Sequence, residues 1–381
     1  MTLKQRTTGE RDSRRANRQA ILRAIYSGEA NTRVDLATHL GVTKTTVGEV
    51  IGSLIDEGYL AETGLGQSTD EGGKRPRLLE FQRETRHVIG VSLNGDHLLG
   101  VLSNMGGDVL VEHRLATEAL SGKEMIEAIC NVINGLIAQI SVPLLAIGIG
   151  VPGLVNSDAG VVELAPTLTW RNLPLTKMIE ERYGVPVYIG SSTALAALGL
   201  YAWGSGEAVR SLAMIHVGNS VGVGWVIDGN SYQGGIGYLR VGGSDTPYLD
   251  ALLGWTAVRR RAEDLYLQRR DDLMGAEWSY LHVRRAYLDG QAGALTLHEE
   301  LASSLGRAVA WTVAMLRPEH LVLAGTIADL GQPFLRRTLA HAHDLVLPDL
   351  LKEVTVSLNT TPALGAVGAV AEALRRELGI I

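Results

Sequence analysis

The pattern of apolar and polar positions changes along the chain. Between Asn17 and Ile55, apolar residues recur three and four positions apart, the spacing of one helix face, in three successive stretches. From His87 onward, short apolar runs separated by glycines replace that spacing and indicate strands. The pattern therefore predicts a small helical head followed by a larger α/β body.

The head is predicted to contain three short helices. Thr32 and Thr43 can cap the second and third helices, Gly41-Val42 makes a tight break between them, and Gly58 ends the third. The residues predicted to be buried are Ile21, Leu22, Ile25 and Tyr26 in a first helix over Asn17–Tyr26, Val34, Leu36, Ala37 and Leu40 in the second, and Val47, Val50, Ile51, Leu54 and Ile55 in the third. Three short helices with a glycine turn before the third are typical of a helix-turn-helix.

A pair of strands is predicted after the third helix, around residues 59–62 and 78–81. The segment between them contains four glycines and ends in Lys74-Arg75-Pro76-Arg77. Two strands joined by a flexible glycine-rich loop form a wing, so residues 14–82 are predicted to be a winged helix-turn-helix domain. Residues 1–13 are expected to form a flexible leader.

The body repeats one order of strands and helices. The predicted elements are a meander of strands over 87–93, 98–102 and 109–113, a helix over 123–140, a strand over 144–149, a rigid loop at Gly150-Val151-Pro152-Gly153, a strand over 185–189, a helix over 193–203, strands over 211–217 and 223–228, mostly helix over 255–316, and a strand over 321–323. This rhythm predicts a duplicated α/β domain with a ligand cleft between its halves. We assign the lobes to 83–190 and 191–381, with oligomerisation helices in the second and a C-terminal helix that could return to the first.

Composition excludes several classes of protein. With 46 % hydrophobic and 20 % charged residues, the 381-residue chain does not have the composition of a disordered protein. A single cysteine, Cys130, excludes a disulfide framework and a multi-thiolate metal site. The sequence contains neither a long apolar run nor the apolar centre of a signal peptide. We therefore expect a soluble, cytoplasmic protein of two or three domains.

Charge is distributed unevenly. Residues 1–86 carry 14 Lys and Arg against 12 Asp and Glu, a net of +2, whereas the rest carries 21 against 29, a net of −8. A contact with a polyanion is therefore expected at the head. The predicted DNA-contacting residues are Arg33, Thr43, Lys44, Thr45, Thr46, Glu49, Lys74, Arg75 and Arg77. The alternatives to DNA contact are a solvated face for the third helix and a solvated basic loop for the wing. Arg14, Arg15 and Arg18 fit either a contact with the DNA backbone or a frayed basic end.

Six short motifs occur in order over about 300 residues. They are Gly72-Gly73-Lys74-Arg75-Pro76, Gly148-Ile149-Gly150-Val151-Pro152-Gly153, Ala165-Pro166-Thr167-Leu168-Thr169-Trp170, Gly218-Asn219-Ser220-Val221-Gly222-Val223-Gly224, Arg317-Pro318-Glu319 and Leu364-Gly365-Ala366. With these motifs the chain resembles the ROK family (repressors, open reading frames and kinases), and specifically its repressor branch. The resemblance implies an actin-like, sugar-kinase-like ATPase fold for the body and oligomers built through it.

The chain departs from that family at positions that the resemblance assigns to phosphoryl transfer. Ser92 and Asn94 match the family's Asp-x-Gly phosphate loop, and Gly190, Ser191 and Ser192 match its Glu-Asn-Asp cluster, which supplies the base for the sugar hydroxyl. A serine hydroxyl cannot replace a carboxylate as general base unaided, because its pKa is far above neutrality. The departures therefore predict a body without kinase activity.

The sugar and zinc ligands implied by the resemblance are replaced as well. Thr167 matches a sugar-binding Asn, and Gly235 and Tyr238 match the Glu and His of the family's Gly-Glu-Ile-Gly-His segment, whose His also holds zinc. The family's cysteine-rich zinc knuckle is absent, and Cys130 alone cannot supply about four ligands. The glycine-rich loop at 218–222 would cradle phosphate in a kinase and is interpreted here as a structural remnant.

These observations predict a DNA-binding transcriptional regulator of the repressor type, with no cofactor, metal or catalytic residue. Its predicted partners are operator DNA and further copies of itself, as a homodimer or tetramer. The residues predicted to line an effector cleft are Gly150, Pro152, Gly153, Thr167, Ser191, Ser192, Gly235 and Tyr238. The alternatives are a sugar-responsive repressor with a remodelled pocket and an active sugar kinase with an added DNA-binding head.

Overall fold

The head combines three helices with a two-stranded wing. The computed structural model describes residues 3–66, 75–94, 97–117, 120–204, 209–269 and 279–381. The head consists of the helices α1 (Leu3–Tyr26), α2 (Arg33–Leu40) and α3 (Lys44–Asp56) and the antiparallel strands β1 (Leu60–Leu65) and β2 (Arg77–Phe81). This order of elements confirms the predicted winged helix-turn-helix fold.

Helix α1 starts earlier than the sequence predicted. It begins at Leu3 rather than at Asn17, so most of the predicted leader over 1–13 is helical. The prediction was wrong because the apolar stripe of α1 begins near Ile21. The preceding turns are mostly polar and show no apolar periodicity from which a helix could be inferred.

Threonine side chains begin α2 and α3, as predicted. Thr32 Oγ1 accepts a hydrogen bond from the Asp35 amide at 3.2 Å, and Thr43 Oγ1 accepts one from the Thr46 amide at 3.1 Å. Val34 was predicted to be buried but is 48 % exposed. It lies on the outer side of a helix of only eight residues, whose buried face is formed by Leu36 and Ala37. Four other residues that were predicted to be buried are only partly buried and pack against the edge of the head core: Tyr26, Leu40, Val50 and Ile55.

The strands of the body fall into two large sheets and one small one. In chain order they are β3 (His87–Asn94), β4 (His97–Asn104), β5 (Val109–Ala116), β6 (Leu144–Val151), β7 (Leu154–Asn156), β8 (Val161–Ala165), β9 (Trp170–Leu173), β10 (Val187–Ser191), β11 (Ser211–Val217), β12 (Val221–Ile227), β13 (Asn230–Gly234), β14 (His320–Ala324) and β15 (Thr355–Asn359). The small sheet is formed by β7, β8 and β9.

The two large sheets have the same topology. Their strand orders are β10-β6-β3-β4-β5 and β13-β12-β11-β14-β15. In each sheet, three consecutive strands form an antiparallel meander, and two later strands add to it in parallel. This repetition confirms the predicted duplicated α/β body. Gly150 and Val151, predicted to lie in a loop, belong to β6 because they continue its parallel pairing with Gly190 and Ser191.

Helices cover the faces of these sheets. They are α4 (Gly122–Ile137), α5 (Leu175–Tyr183), α6 (Ser192–Trp203), α7 (Asp250–Leu253), α8 (Trp255–Arg269), α9 (Tyr280–Leu288), α10 (Ala292–Leu316), α11 (Gly331–His343), α12 (Pro348–Lys352) and α13 (Leu364–Leu378). In the described part of the chain, no helix is both long and apolar enough to cross a membrane.

The C-terminal helix α13 packs back on the first sheet and against α6. A Cβ at Gly90 or Gly148 would lie 2.0 Å from the carbonyl oxygen of Ala366 or Ala369, respectively. A Cβ at Gly368 would lie 1.7 Å from the carbonyl oxygen of Leu195 in α6. Glycine at these positions allows the backbones to approach closely, so α13 is held tightly between the two lobes.

The head docks on α13 through a shared hydrophobic core. Ile21 and Leu22 of α1 belong to the same buried cluster as Val370 and Leu374 of α13. At the rim of this contact, Arg23 Nε donates to the carbonyl oxygen of Gly379 at 2.8 Å. The head is therefore fixed to the helix that also joins the two lobes.

Candidate DNA-binding face and interlobe cleft

The amino end of α3 presents the polar side chains that the sequence singled out. Thr43, Lys44, Thr45 and Glu49 are exposed, and Thr46 is half-buried, with its Oγ1 2.9 Å from Thr43 Oγ1. Since the first amides of a helix have no intrahelical partners, this end of α3 favours a negatively charged ligand. The structure therefore brings these five residues together on one exposed helix end.

The wing and the start of α2 add basic side chains. Arg75 and Arg77 are exposed and Arg33 is half-buried, whereas Lys74 lies outside the described residues. Arg33 Nη1 lies 2.7 Å from Glu62 Oε1, and Arg77 Nη1 donates to Glu62 Oε2. The hydrogen bonds from Arg33 and then from Arg77 hold the pKa of the Glu62 carboxyl below its usual value. Glu62 escaped the sequence analysis because nothing in its local sequence indicates this pairing.

Serines and a glycine of the predicted cleft lie close together where the first lobe leads into α6. Gly150 in β6 pairs with Ser92 on one side and with Gly190 on the other. A Cβ at Gly150 would lie 3.4 Å from Ser192 Oγ and 3.5 Å from Ser92 Oγ. Ser192 opens α6 after Ser191, and within the described residues its buried Oγ has no hydrogen-bond partner. The position that the resemblance assigns to the general base thus holds a hydroxyl beside a second hydroxyl.

The other predicted cleft residues of the first lobe lie on nearby turns. Gly153 has φ +105°, and a Cβ there would lie 2.2 Å from the carbonyl oxygen of Leu164. Pro152 before it is partly buried, and Thr167 is exposed in a single 3-10 turn over residues 166–168. The hydrogen bonds and close contacts of the described residues do not connect Thr167 with Ser191 or Ser192.

On the second lobe, a carboxylate that the sequence analysis missed, Asp250, lies near the predicted cleft residue Tyr238. Tyr238 is 45 % exposed, and burial of its ring, together with the nearby Asp250, raises its pKa. Asp250 accepts a hydrogen bond from the Val221 amide in the glycine-rich loop, and burial raises its pKa. Gly235 lies beside the Tyr238 ring, since a Cβ there would lie 3.2 Å from Tyr238 Cδ2. In the sequence, a single Asp at the start of a helix does not indicate that it will bind the glycine-rich loop.

One side-chain amide bridges the two lobes. Gln233 in β13 accepts a hydrogen bond from the Val155 amide at 3.3 Å and donates to the Val155 carbonyl oxygen. A cavity of about 290 Å³ lies beside this bridge, lined in part by Gly190, Ser191 and Trp225. Of the predicted cleft residues, Ser191 alone is among the residues that line this cavity, so the cavity does not coincide with the predicted effector cleft.

The residues at the position of the family's zinc knuckle do not fit a zinc ion. The loop is closed by an Arg240 guanidinium 4.4 Å from the centre of the Tyr248 ring, and by Thr246 Oγ1, which accepts from the Gly242 amide at 3.0 Å. Asp245 is the loop's only carboxylate, and the described residues contain no group of three or more His, Cys, Asp or Glu side chains that could hold a metal. Hydrogen bonding and a cation–π contact thus close the loop.

Comparison with known proteins places the chain among relatives of two kinds. A xylose repressor from Caldicellulosiruptor bescii is 28 % identical and aligns over 84 % of this chain and 86 % of its own length. A protein of Caldicellulosiruptor sp. (strain Rt8B.4), provisionally named a xylose repressor, is 30 % identical over 84 % of this chain and 85 % of its own length. A glucokinase of Streptomyces coelicolor is 27 % identical over 64 % of this chain and 83 % of its own length.

The solved structures that resemble this chain also include both a regulator and a kinase, and they establish its fold. A ROK family transcriptional regulator, described as a homologue of the Escherichia coli MLC protein, superposes with a TM-score of 0.82 at 20 % identity, over 96 % of this chain and 97 % of its own. A ROK family glucokinase from Streptomyces griseus, in complex with glucose and AMPPNP, gives a TM-score of 0.66 at 22 % identity, over 76 % of this chain and 99 % of its own. Residues 88–241 match the sequence profile of the ROK family. With this match and the repressor-named relatives, the chain belongs to the ROK family.

Proposed function

We propose that this ROK family protein is a transcriptional repressor that binds operator DNA through α3 and the wing, and that its body no longer phosphorylates sugars. The observation that carries the proposal is the exposed amino end of α3, where Thr43, Lys44 and Thr45 lie together in a domain that also has a basic wing. Hydroxyl and ammonium groups at such a position contact base edges and phosphates in a major groove.

The lengths of the matches support the regulator class. The glucokinase structure covers 76 % of the chain, whereas the regulator structure covers 96 %. The kinase match is therefore about as long as the body alone, whereas the regulator match is long enough to include the head as well. The relatives that carry the name of repressor also align over most of the chain.

The chemistry of the cleft supports a body without kinase activity. Phosphoryl transfer to a sugar needs a group that accepts the hydroxyl proton, and Ser192 is a poor base. In the glycine-rich loop, the Val221 amide already donates to the Asp250 carboxylate. A phosphate placed there would lose one donor and meet a carboxylate. Both features oppose the binding and transfer of a nucleotide phosphate.

A second candidate function is a sugar-responsive repressor with a remodelled pocket. Two observations favour it: the second lobe keeps Asp250 and Tyr238 together, and relatives carry the name of xylose repressor. Against it, each charged hydrogen bond to a sugar hydroxyl contributes about 1.5–3 kcal/mol. Losing three of them removes most of the free energy of a micromolar affinity, about 8 kcal/mol.

Titration calorimetry separates these candidates. We expect glucose, xylose and N-acetylglucosamine to bind no more tightly than millimolar, and elemental analysis to find no zinc. Micromolar binding of an unmodified sugar would favour the sugar-responsive repressor. An assay of sugar-dependent ADP formation tests the kinase alternative directly, and turnover in that assay would contradict the proposal.

Mapping the DNA bound in cells tests the regulator function itself. Wild type should occupy a small set of promoter regions that share one sequence motif, and a Lys44→Ala/Thr45→Ala variant should lose them. The control is Lys352→Ala, which removes a lysine from α12, far along the chain from the head. Equal occupancy by all three proteins would contradict a role for α3.

A further inference from the structure

A single carboxylate restrains two arginines of the proposed DNA-binding face. Arg33 Nη1 lies 2.7 Å from Glu62 Oε1, and Arg77 Nη1 donates to the other oxygen, Oε2. Glu62 belongs to β1, whereas Arg33 starts α2 and Arg77 starts β2. One side chain therefore fixes two guanidinium groups that come from different elements.

The contribution of these ion pairs to folding stability is too small to explain the arrangement. The three side chains are at the surface, with exposed fractions of 24 % for Glu62, 37 % for Arg33 and 62 % for Arg77. Exposed ion pairs contribute about 0–1 kcal/mol to stability, because solvent screens the charges and ordering long side chains costs entropy.

The position of the three side chains gives a stronger reason. Leu78 in β2 forms a bridge with Thr32, the cap of α2, and the Leu79 amide donates to the Asn31 carbonyl oxygen at 2.8 Å. The wing strand therefore runs beside the start of α2. Glu62 joins the two parts of the head that carry the proposed phosphate-binding arginines.

A carboxylate at this place has two opposite effects on DNA binding. It repels phosphates and occupies donors that would otherwise contact them, so it weakens binding to any sequence. It also limits the rotamers of two arginines, which otherwise lose side-chain entropy when they bind, and so prepares them for one DNA geometry. The first effect applies to all DNA, and the second helps only where the phosphates or base edges match.

We propose that Glu62 is a specificity-determining residue of the head: it restrains Arg33 and Arg77 for a matching operator and penalises binding to other DNA. This inference rests on the proposed DNA-binding function. Glu62 acts through the two arginines as a positioning residue and makes no DNA contact of its own.

The test is Glu62→Gln in the full chain, which keeps the size of the side chain and removes its charge. Affinities for a selected operator and for a random-sequence duplex are measured over a series of salt concentrations. Affinity for the random duplex should rise about three- to tenfold, and the slope of log K against log salt should steepen by about one, as for one additional phosphate contact. Operator affinity should rise less or fall, so the ratio of operator to random affinity drops.

Two further variants make the result specific. Glu57→Gln removes the same charge from the same domain, but Glu57 follows the carboxyl end of α3 and binds Arg18 at 2.7 Å. It should leave the affinity ratio unchanged. Arg77→Gln added to Glu62→Gln should reverse the steeper salt dependence, because the freed guanidinium is then absent.

The outcomes separate this inference from the function on which it rests. If wild type prefers the operator and Glu62→Gln keeps the same affinity ratio as Glu57→Gln, the inference is overturned and the proposed function stands. A parallel loss on both duplexes together with a lower melting temperature would show a merely structural ion pair and also overturn it. If wild type shows no preference for any duplex, the proposed function itself fails.

Discussion

At the scale of single residues, the side chains of α3 divide into a buried set and an exposed set. Val47, Ile51 and Leu54 are fully buried in the head core, whereas Lys44 and Thr45 face solvent at the amino end. The buried set explains why the helix forms and packs. The exposed set does not pack into the core, and it is the set that we propose contacts DNA.

Lys44→Ala and Arg75→Ala test this division. If either side chain reads a base edge, its loss should weaken operator binding by about 1–3 kcal/mol. If it contacts only phosphate, affinity should fall alike on all sequences, and the salt slope should decrease by about one. Equilibrium titration of operator and random duplexes distinguishes the two cases. Unchanged operator affinity in both variants would contradict the proposed face.

Gly48 offers a test of how closely DNA approaches α3. A Cβ at Gly48 or Gly52 would meet no atom within 4 Å, so alanine at either position should stabilise the helix by about 0.5–1 kcal/mol. Gly48 lies one turn after Lys44, and we expect its added methyl group to weaken operator binding, while Gly52→Ala serves as the control. Thermal unfolding and operator titration measure the two effects. Operator binding by Gly48→Ala as tight as that of wild type would argue against a close approach.

The residue scale also shows which details the sequence could reveal. The caps at Thr32 and Thr43 were predicted correctly because capping depends on residues within one turn. Glu62 and Asp250 were missed because their partners, Arg33 and Val221, are 29 residues away in the chain. These pairs form only because β1 packs beside α2 and α7 packs beside the glycine-rich loop. The periodicity of apolar residues along the sequence does not reveal such tertiary contacts.

At the scale of elements, α13 connects the parts of the molecule. It packs on the first sheet at Gly90 and Gly148, against α6 at Gly368, and against α1 through the shared core. The domain assignment made from the sequence expected a C-terminal helix that could return to the first lobe, and α13 packs on the first sheet. The errors were at element ends, as at Leu3 and Val151, where polar turns or glycine hide the continuation of a helix or strand.

The packing of α9, α10 and α11 predicts a pH dependence of stability. His298 in α10 is 2 % exposed, with ring centroids 3.8 Å from Tyr287 and 5.1 Å from Phe334. Burial lowers the pKa of His298 to about 4, whereas an unfolded histidine has a pKa near 6.5. Between these values the unfolded state binds a proton that the native state does not. Stability should therefore fall as the pH drops from about 6.5 to about 4.

His298→Phe should remove this contribution, about 1–2 kcal/mol between pH 7 and pH 5. The neighbouring Glu299 does not titrate in this range, because Arg337, and then His341, lower its pKa to about 2. Denaturant unfolding at the two pH values gives the measurement, with His343→Phe at an exposed position as the control. The same pH dependence in His298→Phe and wild type would show that another group is responsible.

At the scale of the whole molecule, a kinase-like body carries a DNA-binding head. The body repeats one sheet topology twice and keeps the architecture of ROK sugar kinases, while the residues at the implied catalytic and zinc positions have changed. The sequence predicted this architecture because its motifs and strand order extend over the whole body. It could not predict the docking of α1 on α13, since that contact joins residues more than 300 positions apart.

Assembly is the property of the whole molecule that the DNA-binding proposal requires. One winged helix contacts too little DNA for high specificity, so regulators of this kind bind two half-sites as dimers. We expect a homodimer or tetramer formed through the body, and an operator with two related half-sites. Light scattering at micromolar concentration gives the mass directly. A stable monomer, both alone and with operator DNA, would contradict this expectation.

The most direct test of the central claim is selection of genomic DNA fragments by the purified full chain, followed by equilibrium titration at physiological salt. The account predicts enrichment of fragments that share a repeated motif, bound with a Kd of about 10⁻⁸ to 10⁻¹¹ M and at least about a thousandfold more tightly than random DNA. Failure to enrich any motif, or equal affinity for selected and random fragments, would contradict it.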